Sequence, residues 1–384
     1  MSKLTQTPIT GGDAVPLVDL KAAHAEVADE ITQGMSEVIV HTDFIGGRAV
    51  SEFEAAYVKF AGVEHVIGVA SGTDALEVPL RALGLKSGDE VIVPANSFIA
   101  SAEAVVRAGG VPAFVDVTSD GLMDPAALEA AVTERTVGVM PVHLYGQMPD
   151  MQAIEHVASN RGLFVVEDCA QAQGAAQGGR PAGSIGIAAG TSFYPGKNLG
   201  AYGDAGAVLT NDADLARQAR LMINHGSEVR YVHQIQGFNA RLDTLQAVVL
   251  LAKLKGLDQA NARRRVAAAR YDDLLNDLST VARPRTVAGN THVWHLYVIQ
   301  VPDRARVLKY LNDRGVGAAI HYPVPLHLTP ALAGDRYCAG QFPVAEALAS
   351  SIVSLPLFPQ ITEDQQLRVV ALLDEVLTEG KVQK

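Results

Sequence analysis

The stretch Thr191-Ser-Phe-Tyr-Pro-Gly-Lys-Asn-Leu-Gly200 places a lysine, Lys197, in a loop rich in glycine and proline. Small and aliphatic residues precede it at 185–190, and an apolar run follows at 207–210 after a second glycine-rich turn. Such runs are typical of buried strands, so the lysine is expected between two strands of a sheet. A partly desolvated lysine loses its proton readily, because burial disfavours the charged form. Its neutral amine can attack a carbonyl carbon and form a Schiff base.

Outward from this loop, short apolar runs alternate with helical patterns. The predicted strands are residues 65–70, 90–95, 111–117, 136–144, 162–168, 188–194 and 207–211. The predicted helices between them are residues 73–83, 99–108, 125–131, 150–160 and 213–222. This alternation predicts an α/β fold with a mostly parallel central sheet flanked by helices. Ligands of such sheets bind at the carboxyl ends of the strands, so polar residues there are candidates for a site.

The two ends of the chain have a different character. Residues 1–14 are predicted to form a flexible N-terminal lead, and Ser51 is predicted to cap a helix that follows another at 20–38. A long helical pattern occupies residues 242–275. The remaining predicted elements are strands at 293–301 and 318–323 and helices at 305–314, 345–352 and 363–377. We therefore predict a large α/β domain over 15–254 and a smaller C-terminal α+β domain over 255–384.

Composition excludes several classes of protein. The chain has 384 residues and a net charge of −11, which provides no basic face for nucleic acid. It contains no apolar run of 18 residues, and its N-terminus lacks the layout of a signal peptide, so we expect no membrane association. Its two cysteines, Cys169 and Cys338, have neither disulfide nor metal-site spacing, so no metal is expected. A cytoplasmic location fits these features best.

Two strand ends carry candidate ligand-binding residues. In Val69-Ala-Ser-Gly-Thr-Asp-Ala-Leu76 a strand meets a helix, and helix N-termini attract phosphate, although Ser-Gly-Thr is also an ordinary N-cap. In Val165-Val-Glu-Asp-Cys-Ala-Gln-Ala-Gln173, Asp168 ends a strongly apolar strand, and a buried acid needs a partner. The N–H of a pyridinium ring would be a suitable partner for Asp168. The alternative is that Asp168 caps the helix that follows. Glu167 should point to the opposite face of the sheet.

Two nucleotide-binding motifs can be set against this sequence. The Gly190…Gly196-Lys197 segment resembles a P-loop, but five residues separate its glycines instead of four. Asn198 also stands where a Mg²⁺-binding Ser or Thr is required. No GxGxxG follows the first strand, which disfavours a Rossmann dehydrogenase. A phosphotransferase is therefore a weakened alternative. The structural alternative is that Lys197 is a surface lysine in a simple turn.

The order of phosphate turn, acid and lysine matches a pyridoxal 5′-phosphate (PLP) enzyme of the aspartate aminotransferase fold type I. More specifically, the sequence resembles the DegT/DnrJ/EryC1/StrS family of sugar aminotransferases. The matching segments span about residues 15–375 and are Phe44-Ile-Gly-Gly47, Ala70-Ser-Gly-Thr-Asp-Ala75, Pro94-Ala-Asn-Ser-Phe-Ile-Ala100, Pro141-Val-His-Leu-Tyr-Gly146, Glu167-Asp-Cys-Ala-Gln171, Ser192-Phe-Tyr-Pro-Gly-Lys-Asn198, Gly203-Asp204, Gly237-Phe-Asn-Ala-Arg-Leu242, His295-Leu-Tyr297, His321-Tyr-Pro323 and Leu355-Pro-Leu-Phe-Pro359.

The resemblance implies a role for each matching position. Lys197 would form the internal aldimine and shuttle the proton, and Asp168 would pair with the pyridine nitrogen. Gln171 is implied to approach the hydroxyl of the PLP ring, and Phe98 is implied to stack on that ring. Phosphate binding is implied for Gly72, Thr73 and Ser192, and substrate contact for His321 and Tyr322. Asn239 is implied to reach the phosphate of a neighbouring subunit, so the resemblance implies a homodimer with shared active sites.

The resemblance also implies a reaction. L-Glutamate would donate its amino group, by ping-pong kinetics, to a nucleotide-linked keto-deoxysugar, best matched by a dTDP-3-keto-6-deoxyhexose. A keto-cyclitol acceptor with L-glutamine as donor is the alternative within the family, and a non-catalytic PLP-binding regulator is the alternative of another class. Family members often have His where this chain has Gln173 and Gly where it has Ala205. These departures affect substrate preference and leave Lys197 and Asp168 intact.

Overall fold

A computed structural model describes residues 14–382 of the chain except 333 and 335, so residues 1–13 of the predicted flexible lead lie outside it. In chain order the strands are His65–Val69 (β1), Glu90–Pro94 (β2), Val111–Val115 (β3), Thr136–Val139 (β4), Phe164–Asp168 (β5), Ala176–Gln177 (β6), Arg180–Pro181 (β7), Ala188–Ser192 (β8), Gly206–Thr210 (β9), Ser227–Val229 (β10), Val232–His233 (β11), Asn290–Thr291 (β12), Tyr297–Gln300 (β13) and Ile352–Leu355 (β14). The helices are Leu20–Ala25 (α1), Ala28–His41 (α2), Arg48–Ala61 (α3), Gly72–Ala82 (α4), Ile99–Arg107 (α5), Pro125–Ala131 (α6), Met151–Arg161 (α7), Ala213–Ile223 (α8), Thr244–Leu254 (α9), Leu257–Leu274 (α10), Arg304–Asp313 (α11), Pro343–Ser351 (α12) and Glu363–Val382 (α13).

The largest sheet has seven strands in the order β1-β9-β8-β5-β4-β2-β3. Strand β2 pairs in parallel with β3 and β4, β4 pairs in parallel with β5, and β5 pairs in parallel with β8. Strand β9 runs antiparallel to both β8 and β1. It reverses because a loop, and not a crossover helix, joins it to β8. The predicted mostly parallel sheet flanked by helices is confirmed.

Aromatic packing fixes the start of the lysine loop. Phe193 directly follows β8 and is fully buried. Its ring lies edge-on to Phe53 and Tyr57 of α3, with centroid separations of 5.3 Å in each case. Edge-to-face pairs of this kind contribute about 0.5–1.5 kcal/mol each beyond their burial. The strand end that leads to Lys197 is therefore held against α3.

A separate apolar cluster lies in the C-terminal part of the chain. It includes Tyr271 of α10, Tyr297 of β13 and Val369 of α13, all fully buried. Val15, near the beginning of the described chain, also belongs to this cluster and pairs with Val316. The beginning of the described chain therefore packs on the C-terminal part. The division into domains at residues 15–254 and 255–384 stays a prediction.

Several predicted elements differ from the structure. The predicted helix at 20–38 is two helices, α1 and α2, and the predicted strands at 136–144 and 293–301 are strands only over Thr136–Val139 and Tyr297–Gln300. Helix α3 begins at Arg48 with Gly47 as its N-cap, so the prediction that Ser51 caps this helix was wrong; its hydroxyl donates to the Arg48 carbonyl. The long helix over 242–275 is two helices, α9 and α10, because the chain turns at Gly256. The predicted strand at 318–323 is reduced to one bridge, between Ala319 and Ser354. No helix in the described part of the chain is long and apolar enough to cross a membrane.

Candidate active site

Asp168 lies at the carboxyl end of β5, in the middle of the large sheet, and its side chain is buried. Its Oδ2 accepts a hydrogen bond of 2.7 Å from the Ser101 hydroxyl of α5, and its Oδ1 accepts one of 3.1 Å from the backbone N–H of Ala170. The Ser97 hydroxyl lies 2.6 Å from that of Ser101. These donors hold the carboxylate in one orientation while each oxygen keeps further acceptor capacity.

Glu167 faces the opposite side of the sheet, as predicted from strand alternation. Its carboxylate accepts from the backbone N–H groups of Gly183, Ile185 and Gly186 at 2.8–2.9 Å and contacts His143 Nε2 at 2.7 Å. Burial by itself raises the pKa of Glu167, but His143 and these N–H groups outweigh burial and hold the pKa below its ordinary value. Glu167 therefore ties two segments of chain to β5 as a buried anion.

Lys197 lies in the loop between β8 and β9, where its backbone N–H donates to the Tyr194 carbonyl at 2.8 Å. Burial lowers the pKa of its amine from 10.5 to about 8, against the opposing effect of the Asp168 carboxylate. The loop is held at its far end by Lys253, whose amine donates to the Gly200 carbonyl at 2.7 Å. Lys197 is therefore a lysine whose amine becomes neutral near physiological pH.

The predicted phosphate turn lies at the N-terminus of α4. Ser71 is the N-cap and accepts from the Asp74 backbone N–H at 3.1 Å, so its own hydroxyl serves the helix. Gly72 approaches Ser192 so closely that a Cβ at this position would lie 2.5 Å from Ser192 Cβ and 2.9 Å from its Oγ. Thr73 follows in the first turn. The structure thus brings Gly72, Thr73 and Ser192 together at a helix N-terminus, which attracts anions.

A wall of polar and aromatic groups lies beside Asp168. Gln171 Oε1 accepts from the Tyr145 backbone N–H at 2.7 Å, and Gln171 Nε2 donates to the Tyr322 hydroxyl at 3.3 Å. The Tyr145 hydroxyl donates to the His321 carbonyl at 2.6 Å. The half-exposed Phe98 ring lies 5.4 Å from the Tyr322 ring, centroid to centroid. These contacts bring four of the predicted site residues into one surface: Phe98, Gln171, His321 and Tyr322.

His321 is close enough to Lys197 to respond to its charge. Its Nδ1 lies 2.8 Å from the Ser354 hydroxyl. Burial, with a contribution from the Lys197 charge, lowers the pKa of His321 from 6.5 to about 4. The ring is therefore neutral at physiological pH.

Asn239 stands apart from the other predicted residues within one chain. It is exposed and forms a backbone bridge with Asn224. Among the described residues, no hydrogen bond joins its side chain to the other predicted site residues. Its expected contact with a neighbouring subunit stays a prediction.

Four residues around the site received no role from the sequence. Ser101 and Tyr145 hold Asp168 and Gln171, while Asn198 and His295 contact each other directly behind Lys197. Ser101 lies on a helix that was predicted at 99–108 directly after a strand end, which was an available signal for a position beside the site. Tyr145, Asn198 and His295 belong to matching segments, but nothing in their spacing indicates these contacts.

These residues fit PLP. Because Gly72 has no Cβ, Ser192 packs closely against the N-terminus of α4, and its hydroxyl lies near the first N–H groups of the helix, which suits a phosphate group. Asp168 is a buried acid that could hold a proton on a ring nitrogen, and Lys197 supplies an amine with a lowered pKa. Fold and site together define the class of PLP-dependent aminotransferases of fold type I.

The chain belongs to the DegT/DnrJ/EryC1/StrS aminotransferase family, whose sequence profile matches residues 25–374. This membership confirms the predicted enzyme class and its PLP dependence. A Bacillus subtilis relative of known structure, NtdA with bound cofactor PMP, is 35% identical, covers 96% of this chain and 86% of its own, and has a TM-score of 0.88.

Curated relatives resemble the chain over nearly its whole length. It is 42% identical to the dTDP-3-amino-3,4,6-trideoxy-alpha-D-glucose transaminase of Streptomyces venezuelae, with 98% of each chain covered. It is 44% identical to the UDP-N-acetyl-3-dehydro-alpha-D-glucosamine 3-aminotransferase of Acidithiobacillus ferrooxidans, covering 96% of this chain and all of that one. A pleiotropic regulatory protein of Geobacillus stearothermophilus is 43% identical, with 94% and 98% covered.

The crystal structure of S. venezuelae DesV in complex with a ketimine intermediate superposes on this protein with a TM-score of 0.92. The two chains are 42% identical over 94% of this chain and 98% of DesV. Two of these relatives are thus named as aminotransferases of nucleotide-linked sugars, one of a dTDP-linked sugar and the other of a UDP-linked sugar.

Proposed function

We propose that this enzyme transfers an amino group from L-glutamate to a nucleotide-linked keto-deoxysugar, a dTDP-3-keto-6-deoxyhexose, and so makes an amino sugar. The observation that supports this reaction is the Lys197 amine, whose pKa is lowered to about 8. It lies in the same site as the buried Asp168 and the N-terminus of α4 at Gly72. The choice of the 3-position is supported by two relatives named for 3-amino products or 3-aminotransfer.

When bound, PLP supplies an aldehyde that takes up the amino group and a ring that accepts electrons. The N-terminus of α4, with Thr73 and Ser192, would bind its phosphate and fix its position. Asp168 would hold a proton on the ring nitrogen, and Ser101 would keep its carboxylate in the required orientation. Gln171 would face the ring hydroxyl, and Phe98 would cover one face of the ring.

Lys197 would carry the proton in both halves of the reaction. Its amine, once released, would remove the proton from Cα of the donor and deliver it to C4′ of the cofactor. In the second half it would remove a proton from C4′ and deliver it to the sugar carbon that gains the amino group. A base with a pKa near 8 suits this exchange, because it both accepts and releases a proton near neutral pH. His321 and Tyr322 would contact the substrate, and donor and acceptor would use the site in turn, giving ping-pong kinetics.

We further propose that the active unit is a homodimer in which Asn239 reaches the partner's phosphate site. The exposed position of Asn239, without a side-chain hydrogen bond to its own site, is compatible with such a contact. Exposed apolar side chains in the same region of the chain include Val229, Tyr231 and Val232 of the β10–β11 hairpin, which a second copy could cover.

One spectroscopic experiment tests the reaction. Purified protein with PLP should absorb at about 410–430 nm, and L-glutamate should shift the band to about 330 nm. The shifted protein should then convert one member of a panel of dTDP- and UDP-linked keto sugars and keto-cyclitols to a heavier product, in which an amino group and a hydrogen replace the carbonyl oxygen.

The controls separate the rival functions. Lys197→Ala should abolish the band near 420 nm, an approximate position for the lysine-linked form. A shift with L-glutamine and conversion only of a cyclitol would favour the alternative acceptor. PLP binding without a shift from either donor would favour a regulator, the activity suggested by the name of the Geobacillus relative.

A further inference from the structure

Two buried serine hydroxyls lie in line beside Asp168. The Ser101 hydroxyl donates to Asp168 Oδ2 at 2.7 Å, and Ser97 Oγ lies 2.6 Å from Ser101 Oγ. The exposed fraction of these three residues is 4% or less, so bulk water has little access to them. The three side chains therefore depend on one another for hydrogen bonds. We call Ser97 and Ser101 the serine pair.

The number of hydrogens in the serine pair fixes the direction of both bonds. A serine hydroxyl has one hydrogen to donate and two lone pairs that accept, whereas an ionised carboxylate only accepts. The single hydrogen of Ser101 is therefore directed at Asp168 Oδ2. Ser97 must then donate its own hydrogen to Ser101 Oγ.

A proton on Asp168 Oδ2 would reverse this direction. The protonated carboxyl would donate to Ser101, and Ser101 would then donate to Ser97. The second oxygen, Oδ1, accepts from the backbone N–H of Ala170, a group that can only donate. The carboxylate with its donors on both oxygens is therefore arranged to remain charged.

We propose that Ser97 and Ser101 are positioning residues that keep Asp168 an anion, so that the proton between Asp168 and the ring nitrogen of PLP stays on the nitrogen. The inference rests on the proposed function, in which Asp168 is the partner of that nitrogen. Hydrogen bonds donated to a carboxylate favour its charged form. In a buried site such bonds are stronger than in water, and a donor to Ser101 strengthens the bond that Ser101 donates.

The serine pair belongs to the same turn of chain as Phe98. Ser97 directly precedes Phe98, the N-cap residue of α5, and the backbone N–H of Ser101 donates to the Phe98 carbonyl at 3.2 Å. One turn therefore supplies both the aromatic ring proposed to cover PLP and the hydroxyls that orient its acidic partner.

The position of the proton can be measured without turnover. Solid-state nitrogen-15 NMR of the PLP-loaded enzyme, with PLP labelled at the ring nitrogen, distinguishes a protonated from an unprotonated nitrogen across a pH series. We expect a protonated nitrogen in the wild-type enzyme at pH 7. In Ser101→Ala the nitrogen should lose its proton at a pH lower by about 1–2 units, because one hydrogen bond to a charged group is lost.

Two further variants test the arrangement of the serine pair. Ser101→Thr keeps the hydroxyl and is the matched control, so its titration midpoint should equal that of the wild-type enzyme. Ser97→Ala removes only the donor to Ser101 and should lower the midpoint by less than Ser101→Ala does. Melting temperatures of the cofactor-free variants show whether any of them is misfolded.

The outcomes distinguish this inference from the proposed function. If Asp168→Asn has the wild-type midpoint, Asp168 is not the partner of the ring nitrogen, and its role in the proposed function fails. If Asp168→Asn lowers the midpoint but Ser101→Ala does not, the role of the serine pair fails. It also fails if a folded Ser101→Thr shifts as far as Ser101→Ala, or if Ser97→Ala shifts further than Ser101→Ala.

Discussion

At the scale of single residues, two adjacent carboxylates in β5 have different tasks because a strand turns successive side chains to opposite faces. Glu167 is satisfied by three backbone N–H groups and His143, whereas Asp168 has two donors and faces the lysine. This difference in direction was predictable from the sequence. The partners of each acid were not, because Ser101 and His143 come from distant parts of the chain.

Isosteric amides should separate these two tasks. Asp168→Asn is expected to lower kcat on the order of 10²–10³-fold, because a neutral amide cannot stabilise charge on the cofactor ring, while the free energy of unfolding changes by about 1 kcal/mol or less. Glu167→Gln turns an NH₂ group toward N–H donors and should lower the free energy of unfolding by about 3–5 kcal/mol. Steady-state kinetics measures kcat, and urea denaturation measures the free energy of unfolding. An Asp168→Asn variant that is destabilised but active would contradict the role given to Asp168.

The lowered pKa of Lys197 predicts a pH dependence. Only the neutral amine attacks an aldehyde, so the rate of combination with PLP should rise with pH below about 8 and level off above it. An unperturbed lysine would place that midpoint near 10.4, its ordinary pKa. Lys253 also has a pKa lowered to about 8 by burial, so Lys253→Met is the control and should keep the same midpoint. A midpoint near 10 in wild-type protein would contradict the site.

At the scale of elements, periodicity predicted all seven strands of the large sheet, although the predicted strand at 136–144 is a strand only over Thr136–Val139. It did not predict that β9 is antiparallel, because strand direction follows from the length of the connection and not from the pattern of apolar residues. The C-terminal elements were less predictable. Of the run 293–301 only Tyr297–Gln300 forms a strand, because the preceding residues pack around Gly146 and the lysine loop instead.

The contact between α4 and β8 can be tested at Gly72. Gly72→Ala would place a Cβ 2.5 Å from Ser192 Cβ, which should lower both stability and PLP affinity, the latter about tenfold or more. Adding Ser192→Gly removes the opposing atoms and should restore much of the melting temperature. It should not restore PLP affinity, because the phosphate would lose the Ser192 hydroxyl. Recovery of both quantities would mean that Ser192 does not bind phosphate.

At the scale of the whole molecule, the sequence indicated a site completed by a second copy, which a single chain does not test. Mixing two inactive variants does. Lys197→Ala and Asn239→Asp each damage a different half of a shared site, so a mixed dimer would have one intact site. After dissociation and reassembly, we expect about a quarter of wild-type activity from an equal mixture. If each site were built from one chain alone, mixing would restore nothing.

The pairing of β1 has a consequence for the order in which the protein can be assembled during its synthesis. Strand β1 joins the large sheet through β9, with Val69 opposite Gly206, so its sheet partner is made roughly 140 residues later. The turn at Gly72 that follows β1 cannot be held in place until the lysine loop has left the ribosome. We therefore expect a nascent chain to complete the turn at Gly72 and the loop of Lys197 at the same moment, so that shorter chains should not retain PLP.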